Sequence, residues 1–370
     1  MKHYFLGQAS NFRGFSPLKH LFAHGKSSDE KALIDYLAEH YHSVPSQVFL
    51  TMNGRSAITM ALKSFNLKKH SSVLINGFTC YAVVQAVKAA GFTPVYADID
   101  ENTLNFTPEE LKKHLKKHNI SAIIIQNTLG LPADYRELVS IATENGIRVI
   151  EDMAHCVGIH YPSGVEMGTI GDAACLSFGK GKSLDSITGG ACILRGDIPS
   201  LPARPHKRPR LSDNLRARWY PIFGAIGRFF DSLGVSKYWY GPLIRLHFIT
   251  RAVDVGVDLT TRPAYWQDKL VLLQLKFLIM SPKPIRTHYL VRDRATVIDE
   301  LLSHGYNFKE IWYDVPVSPV RYYASLHFPE KECPIATSVS REIINIPTYY
   351  DKSELKPALD IIKKYEKGAR

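Results

Sequence analysis

Between residues 47 and 152, five short apolar runs alternate with four helix-like stretches. The runs fall at 47–52, 72–75, 93–97, 122–125 and 148–151, and the helices at 55–66, 80–90, 108–118 and 134–145. A helix between each pair of strands means crossover connections, so the strands run parallel. The runs Val73-Leu74-Ile75 and Ala122-Ile123-Ile124-Ile125 have no polar face, as expected of strands covered on both sides. Thr107 and Asp134 stand where helices need caps, and Ser27 or Ser28 is expected to open an earlier helix at 29–41. Residues 173–178 and 191–194 add two more strands to a mostly parallel α/β sheet. From 264 the pattern becomes a long helix and then a smaller α+β tail closed by a helix at 353–366.

The chain has 370 residues, 45% of them hydrophobic, enough for two or three domains. The boundaries read as 1–202 for the large domain, 203–255 for a basic aromatic insertion, and 256–370 for the helix and the small C-terminal domain. The start of the chain lacks a sustained apolar core, so no signal peptide is expected. The most apolar run, 269–280, is broken by Lys269, Gln274 and Lys276 and is no membrane span. Five unclustered cysteines fit a reducing cytoplasm and no metal site.

The net charge of +11 is concentrated. Residues 202–251 hold ten Lys/Arg and two acids, a local +8. Within them Trp219, Ile222, Phe223, Ile226, Phe229, Phe230 and Leu233 recur at helical spacing, flanked by Arg216, Arg218 and Arg228. The sequence RPHKRPR precedes this stripe and KYWYGPLIRLHF follows it. Such a segment packs on the domain or on a dimer partner, lies on an anionic membrane surface, or grips a diphosphate. No nucleic-acid partner is expected.

Chemistry-bearing residues gather at strand ends. Asp152 closes the strand at 148–151, on the edge where open α/β sheets bind ligands; an acid there also serves as a helix cap. His155 is three residues on. Asn53-Gly54-Arg55-Ser56 joins a strand to a helix, and the free N–H groups of such a turn favour an anion. Phe78-Thr79-Cys80-Tyr81 puts aromatic rings at the next strand end. A small-residue strand then leads through Ser177 into Gly179-Lys180-Gly181-Lys182, with Gly189-Gly190 behind it. A lysine, an acid and a phosphate-sized turn at one sheet edge are what pyridoxal phosphate (PLP) needs: an amine for its aldehyde and a carboxylate for its ring nitrogen. Spacing to the glycine pair favours Lys182 over Lys180.

The segments GRSAITMAL, PVYADIDENTLNF, LGLPADYRELVSIATENGIRVIEDMAH, GTIGDAACLSFGKGKSL and IINIPTYYD, in that order, resemble the DegT/DnrJ/EryC1/StrS family of sugar aminotransferases. The resemblance implies the type I fold of PLP-dependent transferases, a large mostly parallel domain with a smaller α+β C-terminal domain. It implies Lys182 as the catalytic lysine and Asp152 as the partner of the ring nitrogen. His155 falls beside the phenolic oxygen, and Ser177, Gly54 and Arg55 fall at the phosphate, Arg55 replacing a threonine. Cys80 stands where the family has its stacking aromatic, so Tyr81 or Phe78 takes that place. Thr188 replaces a family glutamate, and Arg262 is the remnant of a segment that serves the neighbouring subunit.

The implied reaction is transfer of an amino group from an amino acid, glutamate first among candidates, to a keto sugar on a nucleotide, by a cytoplasmic homodimer. PLP-dependent sugar dehydration is the alternative, which Lys182 opposes because family members doing it carry histidine there. A non-catalytic PLP-binding regulator is the other.

Overall fold

The computed structural model describes residues 4–5, 20–232, 236–245, 255–280, 282–307, 311–348 and 352–367. Its centre is a seven-stranded sheet of β1 (Val48–Thr51), β2 (Ser72–Asn76), β3 (Thr93–Ala97), β4 (Ile120–Ile125), β5 (Arg148–Asp152), β6 (Ala173–Ser177) and β7 (Gly190–Leu194). The spatial order is β3-β2-β4-β5-β6-β7-β1. Strands β3 to β6 pair in parallel, while β7 runs antiparallel to both β6 and β1.

Both faces are covered. Successive residues along a strand point to opposite sides. Phe49, Ile124, Ile150, Cys175 and Cys192 therefore join the core under α2 (Gly54–Ser64) and α3 (Tyr81–Ala90). Leu50, Leu176 and Ile193 face α1 (Ser27–His40) on the other side. Ile123, Ile125 and Val149 pack under α4 (Pro108–Leu115) and α5 (Tyr135–Glu144). Each such buried aliphatic contributes roughly 1.5–3 kcal/mol, and the fold's stability rests on their number.

Thr107 and Asp134 cap their helices through Glu110 N–H and Glu137 N–H. Ser27 and Ser28 do not cap α1, which begins with them. Asp29 reaches back to Lys26 N–H at 2.7 Å instead, because a carboxylate in the first turn satisfies that donor better than a serine already inside the helix.

After β7 the chain forms two helices, α6 (Leu211–Ser232) and α7 (Ser236–Arg245), and then α8 (Tyr265–Met280). Leu233 and the tail of KYWYGPLIRLHF lie outside the described residues, as does the side chain of Arg228. The C-terminal part centres on the antiparallel pair Arg286–Leu290 with Ile343–Pro347. Helices Arg294–Ser303 and Lys352–Tyr365 supply its core through Val297, Leu301, Leu355 and Ile362. Residues Val317–Ser318 pair in parallel with Thr79–Cys80, tying this part to the sheet's carboxyl edge.

The glycine pair before β7 is set by contact. A Cβ on Gly190 would sit 2.6 Å from the Leu176 carbonyl oxygen and 2.8 Å from the Asn53 carbonyl carbon. Gly189 has φ +122°, a conformation side chains resist. Gly190→Ala should therefore cost about 3 kcal/mol, since backbone on both sides must move. Urea denaturation measures this, and a loss within error of zero would show that the turn relaxes freely.

Candidate active site

The carboxyl edge of the sheet gathers the functional side chains, because five parallel strands and β1 all end there. Glu151 and Asp152 show how a period of two sorts them. Glu151 points away from the edge, fully buried, and accepts N–H groups of Gly168, Ile170 and Gly171 at 2.7–2.9 Å, with Arg195 at 3.2 Å. Asp152 points the other way, among the charges around Lys182. Its Oδ1 accepts Ala154 N–H at 3.0 Å. Burial raises its pKa, against the pull of that N–H and of Lys182. The residue tightens a turn, and no helix follows it, so the cap expected from the sequence is absent; Lys182 lies close enough for its charge to act on the carboxyl.

His155 is buried on this turn. Its Nδ1 accepts the Leu129 N–H at 3.2 Å, which fixes the ring proton on Nε2. Nε2 lies 3.1 Å from Lys182 Nζ. Burial holds His155 well below the ordinary histidine pKa, helped by the nearby Lys182 and Arg286 charges. Burial likewise lowers Lys182, against Cys80 and Asp152, which favour its charged form. With its ring proton on Nε2, His155 can donate to the Lys182 amine when that amine is unprotonated. Lys182 Nζ also lies over the Trp312 ring, 4.7 Å from its centroid.

Lys180 takes a different direction. Its Nζ sits 3.7 Å from the centroid of the Tyr220 ring on α6. Desolvation lowers its pKa to about 8; the ring face favours the charged form and opposes that shift. Of the two lysines, Lys182 joins His155 and Asp152.

The loop carrying Lys182 is pinned from inside and from α8. Asp185 accepts Gly181 N–H at 3.1 Å and Ile187 N–H at 3.0 Å. Gln274 accepts Asp185 N–H at 2.7 Å and donates to its carbonyl at 2.8 Å. Gln267 donates to the carbonyls of Ser186 and Thr188 and to Thr188 Oγ1. Thr188 is thus a structural anchor. Ile187 holds φ +75°, costly for a β-branched residue, and is buried against Ala217, Trp266 and Leu270.

Gly54 opens α2 directly beside Ser177. A Cβ there would come within 2.9 Å of Ser177 Cβ and 3.3 Å of its Oγ. Asn53 Oδ1 caps the helix by accepting Ser56 N–H at 2.9 Å. This leaves a glycine-lined helix start facing a hydroxyl, the shape and polarity a phosphate requires. Arg55 is buried nearby; its guanidinium binds Gln85 Oε1 at 3.1 Å and the Val255 carbonyl.

The aromatic candidates are engaged elsewhere. Phe78 is fully buried and packs on Tyr313, the ring centroids 4.7 Å apart and the planes tilted by 34°. Tyr81 stacks on Tyr322 at 4.3 Å, and Cys80 lies between them with a half-buried thiol. Arg262 pairs with Glu30 of its own chain. Sequence reasoning missed Trp312 and Arg286. Arg286 is buried 4.3 Å over the Trp312 ring, with Nη1 on Asn345 Oδ1 at 2.8 Å.

Residues 24–200 match the DegT/DnrJ/EryC1/StrS aminotransferase family. This part of the chain belongs to that family. A pleiotropic regulatory protein of Geobacillus stearothermophilus is 25% identical over 82% of this chain and 80% of its own length. A UDP-N-acetyl-3-dehydro-alpha-D-glucosamine 3-aminotransferase of Acidithiobacillus ferrooxidans is 25% identical over 82% and 79%. The fold matches Spr1654 of Streptococcus pneumoniae with a TM-score of 0.69 at 15% identity, over 98% of this chain and 97% of that one. Spr1654 has also been solved in PMP and PLP forms. The protein is an aminotransferase of α/β type I fold, and PLP is its cofactor. The glycine at 54 packed against the Ser177 hydroxyl, the buried Asp152, and Lys182 with its pKa lowered by burial fit that group.

Asp268 lies beside Gln267 on α8, and neither of its carboxylate oxygens has a hydrogen-bond partner among the described residues. Burial and the nearby Glu30 raise its pKa to about 8, although Arg208 at 3.9 Å pulls the other way. An unfolded aspartate ionises near 3.8, whereas the folded one keeps its proton to about 8. The native state therefore loses stability as pH rises through that window. Asp268→Asn should exceed wild type by several kcal/mol at about pH 8, with the gain closing at about pH 4. Urea midpoints at both pH values measure it; a gain independent of pH would reject the buried-acid assignment.

Proposed function

We propose that the protein moves an amino group from an amino acid, glutamate first among candidates, to the carbonyl carbon of a keto sugar carried on a nucleotide. What carries this reading is the meeting of Lys182 Nζ with His155, beside Asp152, at the sheet's carboxyl edge. The acceptor class is supported by the Acidithiobacillus relative and by GDP-perosamine synthase of Caulobacter vibrioides, 26% identical over 88% of this chain and 85% of its own.

In this reading Lys182 anchors the cofactor through its aldehyde, and Asp152 pairs with the ring nitrogen. His155 lies by the phenolic oxygen, and Ser177, Gly54 and Arg55 surround the phosphate. Cys80 and Tyr81 border the ring. When bound, PLP supplies an electron sink next to the substrate's α-carbon. Once the donor's amine displaces it from the aldehyde, Lys182 Nζ takes the α-proton of the donor and delivers a proton to the acceptor carbon, a role that its burial-lowered pKa favours. His155 Nε2–H orients that amine. The buried Asp152 stabilises positive charge on the ring nitrogen, which keeps the sink effective.

The units proposed are 1–202, 203–255 and 256–370. The proposed assembly is a homodimer, and the proposed compartment is the cytoplasm. The five cysteines are all free thiols, which supports a reducing compartment. A regulatory, non-catalytic role has the name of the Geobacillus relative in its favour; it predicts bound cofactor without turnover.

Borohydride reduction of the PLP-loaded protein, followed by fragmentation mass spectrometry, should find the cofactor on Lys182. A label on Lys180 alone would reject the assignment. Oxo acid release from glutamate with a panel of keto-sugar nucleotides tests the reaction. Asp152→Asn should keep its fold and lose more than about a hundredfold in turnover; near-normal turnover would leave Asp152 a turn residue only. Light scattering at assay concentration should give a dimer, and a fully active monomer would refute that assembly.

A further inference from the structure

Helix α6 has two faces with different tasks. Ala217, Gly224 and Gly227 are buried on its inner side, and Ala217 packs with Trp266, Leu270 and Ile187. Trp266 Nε1 donates to Asn214 Oδ1 at 2.7 Å, and Arg218 donates to the carbonyls of Leu21 and Ala23. These contacts fix the helix to the body and to the lysine loop. The opposite side runs Leu211, Leu215, Trp219, Ile222, Ile226, Phe229, at steps of four, four, three, four and three. Leu211 is 73% exposed, Leu215 46%, Trp219 42% and Phe229 63%. Phe223 and Phe230, read from sequence as part of the same stripe, turn instead to Trp239 of α7, whose Nε1 donates to the Phe223 carbonyl at 3.0 Å. On α7, Tyr238 is 70% exposed.

Charge surrounds this apolar face. Lys207 and Arg210 precede it and Arg245 follows it, all exposed. Arg216 sits within α6, paired only loosely with Asp213 at 3.3 Å. A water-facing helix normally reverses this pattern, polar outside and apolar inside. An outward stripe of Leu, Trp, Ile and Phe flanked by Lys and Arg matches a surface with an apolar layer beneath anionic headgroups. No described helix is long and apolar enough to cross a membrane.

We propose that α6 and α7 form a membrane-docking hairpin. Leu211, Leu215, Trp219 and Phe229 enter the headgroup–acyl boundary of an anionic lipid surface, and Lys207, Arg210, Arg216 and Arg245 contact its phosphates. The inner side of the same helix touches the lysine loop through Ile187 and through Tyr220 under Lys180. Docking thus holds the reaction site close to the lipid surface. Resting on the transaminase reading above, this places the amination step at the lipid surface.

The test is cosedimentation of the full PLP-loaded protein with equimolar phosphatidylglycerol–phosphatidylcholine vesicles, with phosphatidylcholine alone as control. Wild type should pellet with the anionic vesicles at low salt, and roughly tenfold less at high salt or with the neutral ones. The double variant Leu215→Glu/Phe229→Glu alters only exposed positions. It should stay in the supernatant while keeping its cofactor absorbance and its oxo acid release from glutamate with a soluble acceptor. Wild type remaining in the supernatant at low salt would overturn the proposal, as would equal pelleting of the variant. A change from dimer to monomer in the variant, without any vesicle binding by wild type, would assign the stripe to a second copy of the chain. Loss of oxo acid release in wild type would strike the transaminase reading and leave the vesicle result standing.

Discussion

The close approach of Gly189-Gly190 to the Asn53 turn governs the site. Strand β7 is the one antiparallel member of the sheet, so it begins at the edge where β6 and β1 end. The connection from Phe178 to Gly189 therefore stays at that edge instead of crossing to the other end. Gly189 N–H donates to the Met52 carbonyl at 2.9 Å, and the two turns lie backbone on backbone. A parallel β7 would require a crossover helix and would carry the lysine away. The reversed strand, with no side chain at either glycine, is what lets the lysine loop share a pocket with the start of α2.

Once the loop is there, burial sets its chemistry. His155 and Asp152 are buried and Lys182 is half-buried, and desolvation penalises the charged form of each. The Leu129 N–H decides the histidine tautomer, so the ring presents a donor to the amine and cannot compete with it as a base. Arg286 and Arg55 add positive charge that depresses Lys182 further. The pocket thus favours an amine able to act as nucleophile and base while offering cationic surroundings to anionic ligands. That combination suits a phosphorylated cofactor and a substrate with a carboxylate.

The strands and helices of the large sheet were legible because short apolar runs alternate with helix-length stretches, two of which open at the caps Thr107 and Asp134. Asp152, His155, Ser177 and Lys182 were legible because they stand at strand ends, where sequence position alone fixes the edge. The supports of the loop were not. Gln274 stood out only as an interruption in an apolar run, yet it and Gln267 are seven residues apart, two helical turns, and so face the same loop. The pattern flagged polarity, but its partner was a backbone nearly ninety residues earlier. Trp312 and Arg286 come from the C-terminal part, and only tertiary packing brings them to Lys182. The α6 stripe was legible as a stripe; its direction was not, because periodicity groups residues on one side without saying whether that side faces protein or solvent.

That direction bears on how the insertion relates to the rest. An apolar stripe turned inward would have enlarged the core, and the small residues Ala217, Gly224 and Gly227 would have had no reason to occupy the inner face. Ala217 packs directly with Trp266 and Ile187, where a larger side chain would push the helix away. The strained Ile187 backbone is thus held under the helix face that carries Ala217 and Tyr220. Any force on the outer face reaches the lysine loop through one layer of side chains. The cost of a β-branched residue at positive φ is tolerated only where packing over-determines it. Here that packing is supplied by Ala217 of α6 together with Trp266 and Leu270 of α8, so α6 is part of the lysine loop's support and not an appendage to the sheet.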